Sequence, residues 1–176
     1  MALTKVIGNG IQGVSNSADA TAITISSTEK VTLGQQIAAK APAFRVHMSG
    51  SQTFSNNTAT VCAFNTEVFD TNGTYNTGDY KFTPLIAGYY FFKLQIFWSS
   101  SARCMTGFYK NGSSDTETYA IPGTASGGAN NQSHAIIQLD ADDYVQAIAA
   151  QSTGGDLANN ANIALSNFSG HLLMAT

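Results

Sequence analysis

Charge is the scarcest commodity in this chain. Only 11% of its 176 residues are charged, less than half the share of about 25% in an ordinary soluble domain. Eight Lys and Arg stand against eleven Asp and Glu, for a formal charge of -3, so the basic footprint of a nucleic-acid binder is missing. No apolar run approaches the roughly 18 residues of a membrane span, so membrane insertion is not expected. Met1 to Lys5 has no apolar segment behind it, and no secretory leader is expected. Cys62 and Cys104 are the only cysteines, which excludes a disulfide framework and fits synthesis in a reducing cytoplasm. The two could pair with each other or stay as buried free thiols.

Catalytic signatures are absent as well. There is no Gly-x-Ser-x-Gly, no His-Glu-x-x-His and no phosphate loop. Glu29, Glu67 and Glu117 stand in no acidic motif suited to glycoside hydrolysis, and the chain reads as a non-enzyme without cofactor. Gly8-Asn-Gly-Ile-Gln-Gly13 matches the dinucleotide pattern, but no full strand precedes it and no helical period follows, so it reads as a Gly-rich arm. Asn72-Gly-Thr74 and Asn111-Gly-Ser113 mark turns; without a secretory route they are not glycan acceptors.

Aromatic residues are absent from positions 1–40, so this segment cannot build a core of its own. Ala20 to Ser26 alternates, with Ile23 and Ile25 on one face, and Lys30 to Leu33 alternates too. A small hairpin across Ser27-Thr28-Glu29 is expected, marginal alone in water. Residues 1–42 therefore read as an attachment arm and linker, with one helical turn expected at 36–39. Val6, Ile7, Ile11, Ile23 and Ile25 are its apolar anchoring residues.

From Ala43 onward the pattern is all-β. Short alternating runs sit between turn signals such as Asn72-Gly73, Asn111-Gly112 and Gly154-Gly155, the signature of a sandwich or barrel. Strands are expected over 44–49, 60–64, 67–69, 80–83, 89–98, 105–110, 133–139, 144–150 and 163–174. The richest run ends at the single Trp, Trp98. One of its faces carries Tyr90, Phe92, Leu94, Ile96 and Trp98, apolar without a break, and belongs in a core. The other carries Tyr89, Phe91, Lys93, Gln95 and Phe97. A solvated face has no use for Tyr89, Phe91 and Phe97, whereas a face meeting another subunit does.

The order of these features resembles the globular head of the complement C1q family, within the tumour-necrosis-factor-like jelly rolls. The resemblance rests on Phe64-Asn65, Val68 to Asn72 with Gly73 and Tyr75, Gly78, Tyr80 and Phe82-Thr83-Pro84. It continues through Gly88-Tyr-Tyr-Phe91 with Phe92, Lys110-Asn111-Gly112, Leu139 to Val145 and Phe168-Ser-Gly-His-Leu-Leu173. It implies an antiparallel two-sheet jelly-roll sandwich over residues 43–176 that assembles as a homotrimer. Tyr89, Phe91 and Phe97 would then line the trimer interface, and Phe168 would join the core. One departure is Asp142, where the family usually has Gly. The turn is expected to persist with a left-handed Asp and a local cost. The opening Met1 to Gly10 is similar to the start of many bacteriophage fibre and virion-surface proteins, in which a Gly-rich arm fixes a knob to the particle.

Three clusters could carry ligands. Asp140, Asp142 and Asp143 share one turn, and some family members bind calcium, but the spacing and Gly of a calcium loop are lacking. A solvated turn is the expectation, and no metal. His47, His134 and His171 lie far apart on alternating runs and read as sheet histidines; one His per subunit around a three-fold axis is the outside alternative. Cys104 follows Arg103, which could lower its pKa. The stretch 113–133 reads as a long surface loop, with Tyr119 and Asn130 as residues for stacking on and hydrogen bonding to a host-surface glycan. Together these features lead us to expect a trimeric structural protein on a phage virion surface. Residues 1–42 would bind capsid or tail proteins, as a capsid decoration (cement) or head-fibre protein. The alternative is the receptor- or glycan-binding tip of a tail fibre.

Overall fold

A computed structural model describes residues 41–100, 103–113, 130–162 and 164–176, together with the backbone of 23–25, 31–33 and 119–120. The chain divides into two compact units, residues 1–39 and 40–176. In the first, β1 (Ile23–Ile25) pairs antiparallel with β2 (Val31–Leu33), Ile23 opposite Leu33 and Ile25 opposite Val31. Val6, Ile7, Ile11 and the helical turn expected at 36–39 lie outside the described residues, as do the side chains of Ile23 and Ile25.

The second unit is built from two antiparallel sheets, and no helix occurs among the described residues. Its strands are β3 (Ala43–His47), β4 (Thr53–Phe54), β5 (Thr60–Val61), β6 (Thr66–Asp70), β7 (Tyr75–Asn76), β8 (Lys81–Phe82) and β9 (Gly88–Trp98). They continue with β10 (Cys104–Lys110), β11 (Tyr119–Ala120), β12 (Asn130–Leu139), β13 (Val145–Gln151), β14 (Leu157–Asn160) and β15 (Asn167–Ala175). The seven-stranded sheet has the order β4-β14-β9-β15-β3-β6, with β12 on the other edge of β9. The six-stranded sheet has the order β11-β10-β13-β8-β7, with β5 also on β13. β9 is the spine of the larger sheet: β12 pairs along one edge from Gly88 to Phe97, while β15 and β14 share the other.

Strict alternation in β9 explains the core. Tyr90, Phe92, Leu94, Ile96 and Trp98 are all 0% exposed, as is Phe168. Each such side chain contributes on the order of 1.5–3 kcal/mol by leaving water. Phe44 is the hub, its ring centroid 4.9 Å from Phe82 and Phe168 and 5.1 Å from Tyr75. Phe54 meets Trp98 edge to face at 5.1 Å. Such tilted and offset pairs add to burial through the ring quadrupoles. Gly170 permits this density: a Cβ there would lie 2.6 Å from Phe92 Cδ1 and 2.8 Å from Phe44 Cε1. Polar contacts also tie the sheets, with Thr106 Oγ1 and Ser133 Oγ 2.6 Å apart and buried.

Several sequence expectations are corrected. Tyr80 does not open a strand. It sits at φ 59° in a turn, a left-handed conformation no strand allows, and pairing begins at Lys81. Run 60–64 pairs as a strand only at Thr60–Val61. Of the run expected from 163, residues 164–165 form a turn, where Asn160 Oδ1 accepts from the Asn162 N–H and Asn162 Oδ1 from the Ala164 N–H, each at 2.9 Å. Such side-chain bonds offer the backbone an alternative to a ladder, and β15 starts at Asn167. β12 starts three residues before the expected 133, so Asn130 is a strand residue opposite Phe97 and not part of a loop. Asp142 is not among the described non-glycine residues with positive φ, which are Asn57, Tyr80 and Asn111. Its turn therefore carries no left-handed penalty at that position.

Candidate functional site

The outer face of the seven-stranded sheet collects the side chains that alternation turns away from the core. On β9 these are Tyr89, Phe91, Lys93 and Phe97, all half-buried. Register decides their neighbours. Ile136 of β12 and His171 of β15 flank Phe91. The next row runs His134, Lys93, Ser169, Arg45 and Phe69 across β12, β9, β15, β3 and β6. Large apolar groups stay exposed here: Ile136 at 63%, Met174 at 59% and Phe69 at 47%. Gln95 alone is withdrawn, because the turn before β15 covers it and its Nε2 donates to the Ala164 carbonyl at 3.3 Å.

The histidines, far apart in sequence, are partly brought together. The Phe91 ring lies 5.9 Å from the His134 ring and 5.5 Å from the His171 ring. His47 stands apart from this pair and faces the Met48 carbonyl through Nδ1 at 2.9 Å. His134 stacks on Phe91 at 25° between the ring planes, and His171 tilts against it at 48°. Among the described residues no three His, Cys, Asp or Glu side chains are grouped to hold a metal ion. The face thus joins an apolar aromatic band to a basic row of Lys93 and Arg45.

The acidic turn is a structural clamp. Asp143 Oδ2 receives Lys110 Nζ at 2.7 Å and the Asp140 N–H at 2.9 Å, and Oδ1 receives Asn111 Nδ2 at 2.6 Å. Burial alone would raise the Asp143 pKa, but these hydrogen bonds outweigh it and hold the carboxyl at about 2. Asn111 and Gly112 both have positive φ, 54° and 75°, the pattern of the tight Asn-Gly hairpin turn. Cys62 and Cys104 are both free and buried. Burial pushes Cys104 up to about 11, so Arg103 does not activate it; burial likewise pushes Cys62 upward. Tyr119 pairs through its backbone with Gly107 in β11, while its side chain and positions 114–118 and 121–129 lie outside the described residues.

A two-sheet antiparallel jelly roll with an uncovered aromatic outer face is the class that fold and site define. The chain belongs to the C1q domain family, whose model matches residues 43–173. It is similar to the globular domain of zebrafish complement 1qA protein, with a TM-score of 0.55 and 16% identity, covering 78% of this chain and 100% of that one. Murine APRIL at pH 5.0 superposes with a TM-score of 0.55 and 11% identity, over 76% of this chain and 100% of its own. Eiger TNF from S. frugiperda gives 0.51 and 15%, over 77% and 93%. These likenesses show the fold. No curated protein matches the chain.

Proposed function

We propose that this chain is a non-enzymatic structural protein of a bacteriophage virion. It forms a homotrimer whose jelly-roll knob stands on the particle surface and whose residues 1–42 attach it. Its role in this reading is capsid decoration or a head fibre. One observation carries the assembly: Ile136 and Met174 are left open beside half-buried Tyr89, Phe91 and Phe97 on one sheet face. Contiguous exposed apolar surface marks an interaction site, and a self-associating face closed by rotation uses the same groups in every copy. The viral setting is supported by the opening Met1 to Gly10, similar to phage fibre proteins, and by an arm whose sequence holds no aromatic residue for a core of its own.

The test has two parts. Native mass measurement of the purified chain is expected to give a trimer; a stable monomer overturns the assembly. Immunogold labelling of particles is expected to mark the capsid, and a chain lacking residues 1–40 is expected to remain a trimer that no longer joins capsids. Label confined to the tail tip would replace decoration by a host-binding tip. Undiminished attachment of the truncated chain would show that the arm is not the anchor.

A further inference from the structure

On the side of the sandwich away from Phe91, the six-stranded sheet ends in a cleft of about 330 Å³. Cys104 and Ala149 point into the core, so Met105 and Ala150, next to them along β10 and β13, point outward. They make the apolar floor of the cleft, Ala150 buried and Met105 half-buried. Its rim is exposed and polar, formed by Asn57, Arg103 and Ser152. The volume falls at the small end of the range for ligand sites, roughly 300–1,000 Å³.

Two properties make this more than a surface dent. The first is charge. Among the described residues the ion pairs are Lys81–Asp79 and Lys110–Asp143, neither involving Arg103, and none of those lining the cleft is acidic. The second is rigidity. Asn57 is held at φ 54°, its N–H donating to the Gln151 carbonyl at 2.7 Å. The Ser152 N–H donates to the Arg103 carbonyl at 3.0 Å. Beneath them the Gln151 amide is fully engaged. Its Nε2 donates to the carbonyls of Phe54 and Gly155 at 2.9 and 2.8 Å, and its Oε1 accepts from the Thr153 N–H at 2.8 Å. A non-glycine residue in the left-handed region stays there only when its surroundings over-determine it, and a preformed rim reduces the ordering cost of binding.

We propose that this cleft binds a small amphipathic carboxylate of the acidic-monosaccharide class. The carboxylate pairs with the Arg103 guanidinium, whose planar fork matches it in two parallel hydrogen bonds. Hydroxyl or acetamido groups of the sugar reach Asn57 and Ser152, and its less polar face lies over Met105 and Ala150. A single cation suits a monoanion better than a phosphate, which calls for more than one positive group. The ligand can be a free acidic sugar or the terminal residue of a glycan. The site lies on the other sheet from the assembly face, so its failure would leave the trimer intact and the proposed virion role untouched.

Saturation-transfer NMR and titration calorimetry on the full chain test this with four probes: N-acetylneuraminic acid, its methyl ester, sialyllactose and lactose. The free acid and sialyllactose are expected to bind, with the methyl ester weaker by about tenfold or more, since the charge-assisted bonds are lost. Lactose is expected not to bind. Arg103→Gln should lose the same tenfold, Arg103→Lys less, and both should keep the native melting temperature and mass. Binding of the free acid but not of sialyllactose would identify a free carboxylate as the ligand. The proposal is overturned if none of the acids binds, if acid and ester bind equally, or if the well-folded Arg103→Gln variant binds like the parent.

Discussion

Lys110 and Asp143 meet at 2.7 Å and join the turn after β10 to the turn between β12 and β13. The connection is doubled by Asn111, whose Oδ1 accepts from the Tyr144 N–H at 2.9 Å while its N–H donates to the Tyr144 carbonyl at 3.0 Å. Asp143 is therefore the joint of one end of the sandwich.

That joint predicts an acid sensitivity. The folded Asp143 pKa, about 2, lies below its ordinary value of 3.8, so its stabilisation is fully present above pH 4 and lost as the pH falls toward 2. Asp143→Asn is expected to cost on the order of 1–2 kcal/mol at pH 7, and the gap to the parent should close below pH 3. Urea unfolding at a series of pH values measures both. A gap independent of pH would show that the charge of Asp143 is not what joins the turns.

The outer face predicts the consequence of a single charge. Phe91→Asp leaves the monomer fold open to form, because the residue faces away from the core. In an assembled face it would bury an unpaired carboxylate in every copy, at about 3–5 kcal/mol each. Sedimentation is expected to show loss of the trimer with β-rich circular dichroism retained; an intact trimer would show that assembly uses another surface.

Gly170 predicts a packing limit. Gly170→Ala would thrust a methyl group between Phe44 and Phe92, where the fully buried rings have little room to retreat. Overpacking of this kind costs about 1–3 kcal/mol. Thermal unfolding is expected to show the loss, and an unchanged midpoint would mean that the two rings can part.

The thiols predict silence. Because Cys62 and Cys104 are buried and their pKa values raised, neither is expected to react with Ellman's reagent at pH 8 until the protein is unfolded, when both should react. Rapid modification of one thiol in the native protein would contradict its burial.

Much of the larger sheet was legible in the chain. The two faces of β9 follow from period-two alternation, and the order of Gly88, Lys110-Asn111-Gly112 and Phe168-Ser-Gly170 resembles the jelly roll from the sequence alone. Other parts were hidden by composition. Leu157–Asn160 forms a strand although two of its four residues are Asn, poor strand formers; Asn159 is accommodated because its Oδ1 accepts from the Gln52 N–H at 2.7 Å. Alternation puts Gln95 on the outer face, and the turn at Ala164, remote in sequence, is what covers it.

Alternation and turn chemistry are local, so the sequence by itself determined which side chains of β9 face the core, where Asn-Gly turns fall and that the first 40 residues hold no aromatic side chain. Cross-strand register is not local. Only the tertiary structure placed His134 and His171 on either side of Phe91, set Lys93 in line with Arg45, and brought Arg103 to Asn57 and Ser152 around one cleft. Each of these meetings joins residues from distant strands, and it is the packing of two whole sheets, not any single segment, that selects them.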